Sequence, residues 1–285
     1  MNNPKPSKPI GRFSRIRPRI VLTFSVLFII ISAIVAIVMA AISRNDFESQ
    51  AKNALLALTT SKENSLETFI KGQAQFVENL AASQVAREEL KNPTALNLAS
   101  VADRLNRTVK IDNNLLEIFM LDSAGKVVVS TGSTPVGLDR SSDAYYTNAK
   151  DKTYFKSIYQ SEVINQVNYT ISAPIKDDKN NLLGVMVARY KPDDFYNIVA
   201  DRTGLGKTGE YFVVNADKYF LSPSLFLGQE AVLKEKADTV NTRTCFEHAN
   251  VSENVSEASM SHVFDFPDYR NVEVIGTHAY IPGVN

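Results

Sequence analysis

The sequence predicts an α+β protein. A long N-terminal helix first crosses a membrane and then continues as a stalk, and two successive modules built on antiparallel sheets follow it. Three observations carry this reading. Residues 20–43 form an uncharged apolar run, and residues 46–91 contain no proline and repeat apolar side chains at helical spacing. Beyond residue 114, short alternating or apolar runs come in pairs joined by tight turns, and the pattern occurs twice.

Residues 1–19 hold Lys5, Lys8, Arg12, Arg15, Arg17 and Arg19 and no acidic residue. The run that follows, "IVLTFSVLFIIISAIVAIVMAAIS", has no charge, proline or glycine. As a helix it reaches about 36 Å, enough for a hydrocarbon core of about 30 Å. The basic flank stays on the cytoplasmic side, so everything after Arg44 is expected outside the cytoplasm. A cleaved signal peptide is the rival reading. The run is longer than the usual signal core, which favours an uncleaved anchor in the inner (plasma) membrane.

Leu66, Phe69, Ile70, Phe76, Val77, Leu80 and Val85 recur at intervals suited to one helix face, so residues 46–92 are expected to form a stalk helix ended by "KNP". Unbroken, it would be about 70 Å long. It can cover its own domain and also pair with a second copy of the chain. A shorter helix fits residues 94–109.

"LLEIFMLD" and "KVVVSTG" read as strands around "SAG", and "VNYTISAPIKD" and "LLGVMVARY" as strands around "DKNN". The aromatic-rich stretch 140–160 between them reads as irregular. "PDDFYNIVADR" starts a helix at Pro192 with acids in its first turn. A smaller echo follows: "GEYFVVNA" and "YFLSPS" are expected to pair, residues 228–262 hold helical pieces and a polar loop, and "HVFDFPDYRNVEVIGTHAYIP" gives a closing strand pair turned at "DYRN". The expected modules span residues 93–200 and 201–285.

Composition narrows the chemistry. With 31 basic and 31 acidic residues the chain shows no basic face, so no nucleic-acid partner is expected. The single cysteine, Cys245, allows neither an internal disulfide nor a Cys-rich zinc site, and His248, His262 and His278 lack metal-ligand spacing. No metal and no cofactor are expected. "GLGKTGEYFVV" (204–214) superficially matches a phosphate loop, but Asp201 stands where its first glycine belongs and a strand follows where a helix is required.

In order along the chain, "FMLDSAGKVVVSTG", "SAPIKDDKNNLLGVMVARY", "GLGKTGEYFVVNADKYFLSPS" and "DYRNVEVIGTHAYIPGVN" resemble the double Cache sensor domains of bacterial transmembrane receptors. That resemblance runs from about residue 46 to the C-terminus. It implies two tandem PAS-like modules, membrane-distal then membrane-proximal, propped on a long helix, with "GLGKTGE" as the link between them. It further implies a last strand, a second membrane helix and a cytoplasmic kinase, methyl-accepting or cyclase module beyond Asn285.

The family binds small ligands in its distal module. Amino-acid-binding members use an Arg, a Trp-Tyr pair, a second Tyr and a late-strand Asp. Tyr145 and Tyr146 fall at the pair and Tyr159 at the second Tyr, whereas Asp143 replaces the Arg and Arg189 replaces the Asp. Amino-acid specificity is therefore not carried over. The candidate ligand-binding residues are Tyr145, Tyr146, Tyr159, Tyr169 and Arg189. Arg189 either clamps an anionic ligand or serves structurally, facing solvent or pairing with Asp139 or Asp143. The tyrosines either line a pocket, Tyr146 and Tyr159 foremost, or are half-buried core.

Three functions compete: a non-enzymatic ligand-sensing input region, a ligand-free structural stalk that dimerises, and an anchored extracytoplasmic hydrolase. The hydrolase lacks a Ser/His/Asp or paired-carboxylate grouping, and no catalysis is expected of these residues.

Overall fold

A computed structural model describes residues 16–92, 94–251 and 263–284. The expected cytoplasmic flank through Arg15, Pro93 of "KNP", and residues 252–262, with most of the expected polar loop and His262, lie outside the described residues. The chain forms two units, residues 1–54 and 55–285.

The first unit is helical from Ile16. Its apolar side chains from Ile20 to Ile42 are exposed, and the helix is long and apolar enough to cross a membrane. The same helix, α1 (Ile16–Ala81), continues without a break into the second unit.

The expected stalk helix is interrupted before Lys91. α1 ends at Ala81 and a separate α2 (Gln84–Lys91) follows. Ser83 explains the break: its hydroxyl donates to the Leu80 carbonyl at 2.7 Å and accepts from the Ala86 amide at 3.4 Å, closing one helix and capping the next. The stripe lies where its spacing puts it. Leu66 and Val77 are buried, and Phe69, Ile70, Phe76, Leu80 and Val85 pack partly buried on the same core.

α3 (Ala95–Val109) leads into a five-stranded antiparallel sheet of β1 (Leu115–Asp122), β2 (Val127–Ser130), β3 (Tyr154–Ser161), β4 (Gln166–Lys176) and β5 (Leu182–Tyr190). The order is β2-β1-β5-β4-β3, so the last strand lies at the centre. The stretch read as irregular thus contains a strand. α4 (Ala144–Thr147) precedes β3, and a register shift between Lys156 and Tyr159 breaks the alternation that would have revealed it.

Alternation along the other strands divides the sheet into two faces. One carries Ile118, Met120, Ile171, Met186 and Ala188, which are buried with the helical stripe. Each larger apolar side chain there contributes about 1.5–3 kcal/mol. Tyr169 belongs to this face. Its ring stacks on Tyr190 with centroids 5.1 Å apart and meets Phe69 of α1 edge-on at 6.1 Å.

α5 (Asp193–Ala200) starts after Pro192 with Asp193 and Asp194 in its first turn, as expected. Gly204 and Gly206 then take φ of 90° and 70°, values open to glycine and strained for most other residues. The expected pairing of 209–216 with 219–224 reduces to a single bridge, Val214 to Phe220. The Leu221 amide donates to the Val213 carbonyl and the Asn215 amide to the Tyr219 carbonyl across it, and the ladder stops where a side chain takes the Val213 amide. Phe220 donates its amide to the Glu235 carbonyl and accepts from the Leu233 amide, while the Ser222 hydroxyl takes the Val213 amide. α6 (Val240–Val251) and a β6 (Phe264–Pro267)–β7 (Glu273–Gly276) hairpin turned at 268–271 complete the chain. Cys245 of α6 is buried, and burial pushes its thiol up to about 12.

Candidate functional site

The other face of the five-stranded sheet is where charge collects. Register pairs Glu117 of β1 with Arg189 of β5, Arg189 with Thr170 of β4, and Thr170 with Lys156 of β3. Cross-strand partners share a face, so these four side chains form one row across four strands. Beside the row lie Phe119, Leu121, Val185 and Val187. They are capped by Tyr145, Tyr146 and Ala149, all buried at and just beyond α4.

Arg189 and Glu117 are a buried ion pair, their side chains 1% and 2% exposed. Glu117 also accepts from the Thr134 hydroxyl at 2.6 Å and the Thr134 amide at 2.9 Å. Arg189 Nη1 donates to Glu117 and lies 3.2 Å from Thr134 Oγ1, and its guanidinium carbon sits 5.4 Å from the Phe119 ring centre. Gly132 makes room for the carboxylate: a Cβ there would fall 2.6 Å from Glu117 Cβ and 2.7 Å from its Oε2. A pair so enclosed holds because each charge answers the other.

The expectation that Arg189 pairs with Asp139 or Asp143 is therefore corrected. Its partner is Glu117, directly across on the neighbouring strand. Asp139 instead accepts from the Ser141 amide at 2.9 Å. Asp143 takes the Tyr145 hydroxyl at 2.7 Å and Arg140 at 3.4 Å.

The tyrosines divide. Tyr145 packs edge-on against Phe119 at 5.7 Å, and burial first, then its bond to Asp143, raises its pKa. Tyr146 is buried beside it and donates to the Ser123 carbonyl at 2.7 Å, with its pKa raised chiefly by burial. Tyr159 crosses from the edge strand, its hydroxyl 2.8 Å from Thr170 Oγ1. Tyr169 is on the opposite face with the helices and does not belong to this group, because Asn168 and Thr170 on either side of it point the other way.

Lys156 is a member of the site that the sequence reading missed. Its ammonium lies 3.8 Å from the Tyr159 ring centre and 5.6 Å from that of Tyr145. Burial lowers its pKa, Arg189 and Arg140 push the same way, and Asp143 opposes them. Glu117 was also missed. A signal for it existed: one acid on the inward period of a buried strand and one Arg in another such strand invite pairing.

Comparison with known proteins identifies the fold that carries these residues. Among solved structures, the chain is similar to the ligand-binding domain of the Campylobacter jejuni chemoreceptor Tlp3 in complex with 4-methylisoleucine. The two are 18% identical with a TM-score of 0.59, covering 83% of this chain and 88% of that one. It is similar to the ligand-binding domain of the Pseudomonas fluorescens chemoreceptor CtaA in complex with L-serine at 17% identity and a TM-score of 0.54, covering 77% and 86%. At these identities the likeness is one of fold. No curated protein matches the sequence. A family model for the Cache domain, of the double type, matches residues 41–285, and the chain belongs to that family.

Proposed function

We propose that this chain is the extracytoplasmic ligand-sensing input region of a transmembrane receptor. A small molecule binds between the charged face of the five-stranded sheet and the α4 segment. The observation that carries the reading is the gathering of Tyr145, Tyr159, Lys156 and Arg189 on one sheet face of a Cache-family chain. Hydroxyls, aromatic edges and cations converging on one place are what a small polar ligand requires. Tyr146 supports the wall from behind through its bond to Ser123. Residues 93–200 act as the membrane-distal module and 201–285 as the proximal one. Residues 20–43 anchor the chain with its N-terminus in the cytoplasm, and α1 pairs two copies, so that binding in the distal module biases the helix that enters the membrane.

The test is thermal unfolding of the full chain in detergent against a panel of small carboxylates, amino acids and amines. A ligand at a hundredfold excess over its dissociation constant adds about 2.7 kcal/mol. Tyr145→Ala and Tyr159→Ala are expected to abolish that gain. Binding that survives both changes places the ligand elsewhere. A reporter enzyme active only outside the cytoplasm, fused after Asn285, is expected to be active, and cytoplasmic activity would overturn the topology.

A further inference from the structure

The charges on the ligand-facing side of the sheet are not equivalent. Resting on the sensing role proposed above, we propose that Lys156, not Arg189, reads the ligand's charge, and that the ligand is a small carboxylate without an ammonium group.

The argument is an accounting of charged partners around the site. Arg189 is charge-paired with Glu117 and bonded to Thr134, and Arg140 is paired with Asp143, although the enclosed Nε of each arginine has no partner among the described residues. Lys156 makes no hydrogen bond or ion pair among the described residues. Its ammonium rests only against the faces of Tyr159 and Tyr145. An ammonium has three donors and no acceptor. Held over aromatic rings, it keeps a cation–π attraction but leaves those donors open on the ligand side. The two arginine–carboxylate pairs cancel, and Lys156 adds a positive charge that no ion pair balances.

The same accounting disfavours an ammonium on the ligand. Glu117 accepts from Arg189 and twice from Thr134, and it is buried at the far end of the row from Lys156. Asp143 already answers Tyr145 and Arg140. A ligand ammonium arriving here meets Lys156 with no uncommitted carboxylate to balance it. A carboxylate, by contrast, gains a charge-assisted bond from Lys156 and can accept from the partly exposed Tyr159 hydroxyl, now bonded to Thr170 at 2.8 Å.

The experiment uses the full chain in detergent, with thermal shift and calorimetric titration of acetate, lactate, pyruvate and succinate against L-serine, L-leucine and GABA. Lys156→Met and Lys156→Arg serve as variants. Lys156 is partly exposed, so the unliganded melting temperature of each variant reports directly whether the fold is kept. At least one of the four carboxylates is expected to bind the wild type more tightly than any of the three ammonium-bearing compounds. Lys156→Met is expected to weaken that carboxylate at least tenfold, and Lys156→Arg to hold it within a few-fold. Binding of L-serine, L-leucine or GABA that Lys156→Met leaves unchanged overturns the assignment of Lys156 while the sensing site stands. Carboxylate binding unaffected by Lys156→Met but lost in Tyr159→Ala does the same. Binding by none of the seven compounds counts against both the assignment and the site.

Discussion

The two faces of the five-stranded sheet share their strands and backbone bonds, yet they are built on different principles. One buries Ile118, Met120, Ile171, Met186, Tyr169 and Tyr190 against the helices, where fit alone decides stability. The other sets Glu117, Arg189, Thr170 and Lys156 in a row beside α4, where the buried Arg189–Glu117 pair depends on its two members together. Apolar packing tolerates a change of shape at moderate cost, whereas a buried ionic frame fails when one member is removed. A face of the second kind costs stability and holds groups in fixed orientation, which suits it to recognition.

Removing one charge of the frame tests this difference most severely. Glu117→Ala leaves Arg189 buried without its counter-charge and is expected to cost about 3–5 kcal/mol in chemical denaturation. Replacing both residues by methionine is expected to recover most of that loss, because a well-packed apolar pair replaces a pair whose charges largely cancel their own burial cost. If Glu117→Ala costs under about 1 kcal/mol, water reaches the pair and the row is not the closed frame drawn here.

Tyrosine-to-phenylalanine changes separate the faces more finely. The Tyr159 hydroxyl is bonded to Thr170, so Tyr159→Phe is expected to cost about 0.5–1.5 kcal/mol. The Tyr190 hydroxyl is buried and has no partner among the described residues, so Tyr190→Phe is expected to be neutral or stabilising in the same assay. Equal losses at both positions would mean that the apolar face also carries a polar network.

How much of this the sequence disclosed follows from the same division. The helix-facing side was legible: the stripe from Leu66 to Val85 and the strands at 115–122 and 182–190 follow simple periods that burial enforces. Tyr145, Tyr146, Tyr159 and Arg189 were singled out as candidates through the family resemblance, yet Arg189's partner was not, because Glu117 is seventy-two positions away and only register joins them. Lys156 was invisible for a local reason. The register shift between it and Tyr159 hides the strand, and a lysine in an apparent loop carries no sign of burial. The pairing of 209–216 with 219–224 was cut short for a different reason. The pattern was right for two strands, and Leu221 and Asn215 do bond across them, but the Ser222 hydroxyl takes the Val213 amide and ends the ladder.

The smallest effect is also the one that isolates Lys156. Burial lowers its pKa in the folded protein below the ordinary lysine value, with Arg189 and Arg140 adding to the shift. A lysine depressed in this way binds its proton less firmly folded than unfolded. At neutral pH both states are still protonated, so the folded state bears the full penalty of holding the ammonium there. As pH rises through the folded pKa toward the unfolded value of about 10.4, the folded chain sheds the proton first and that penalty fades. Lys156→Met removes the penalty at every pH. The variant is therefore expected to melt slightly above the wild type at pH 7, with the gap closing as pH approaches 10. Removal of an ordinary solvated surface lysine leaves no such gap. A variant that melts below the wild type at pH 7, by an amount independent of pH, would mean that the ammonium stabilises the apo fold through its contacts with Tyr145 and Tyr159. Its cation–π contacts would then outweigh its desolvation.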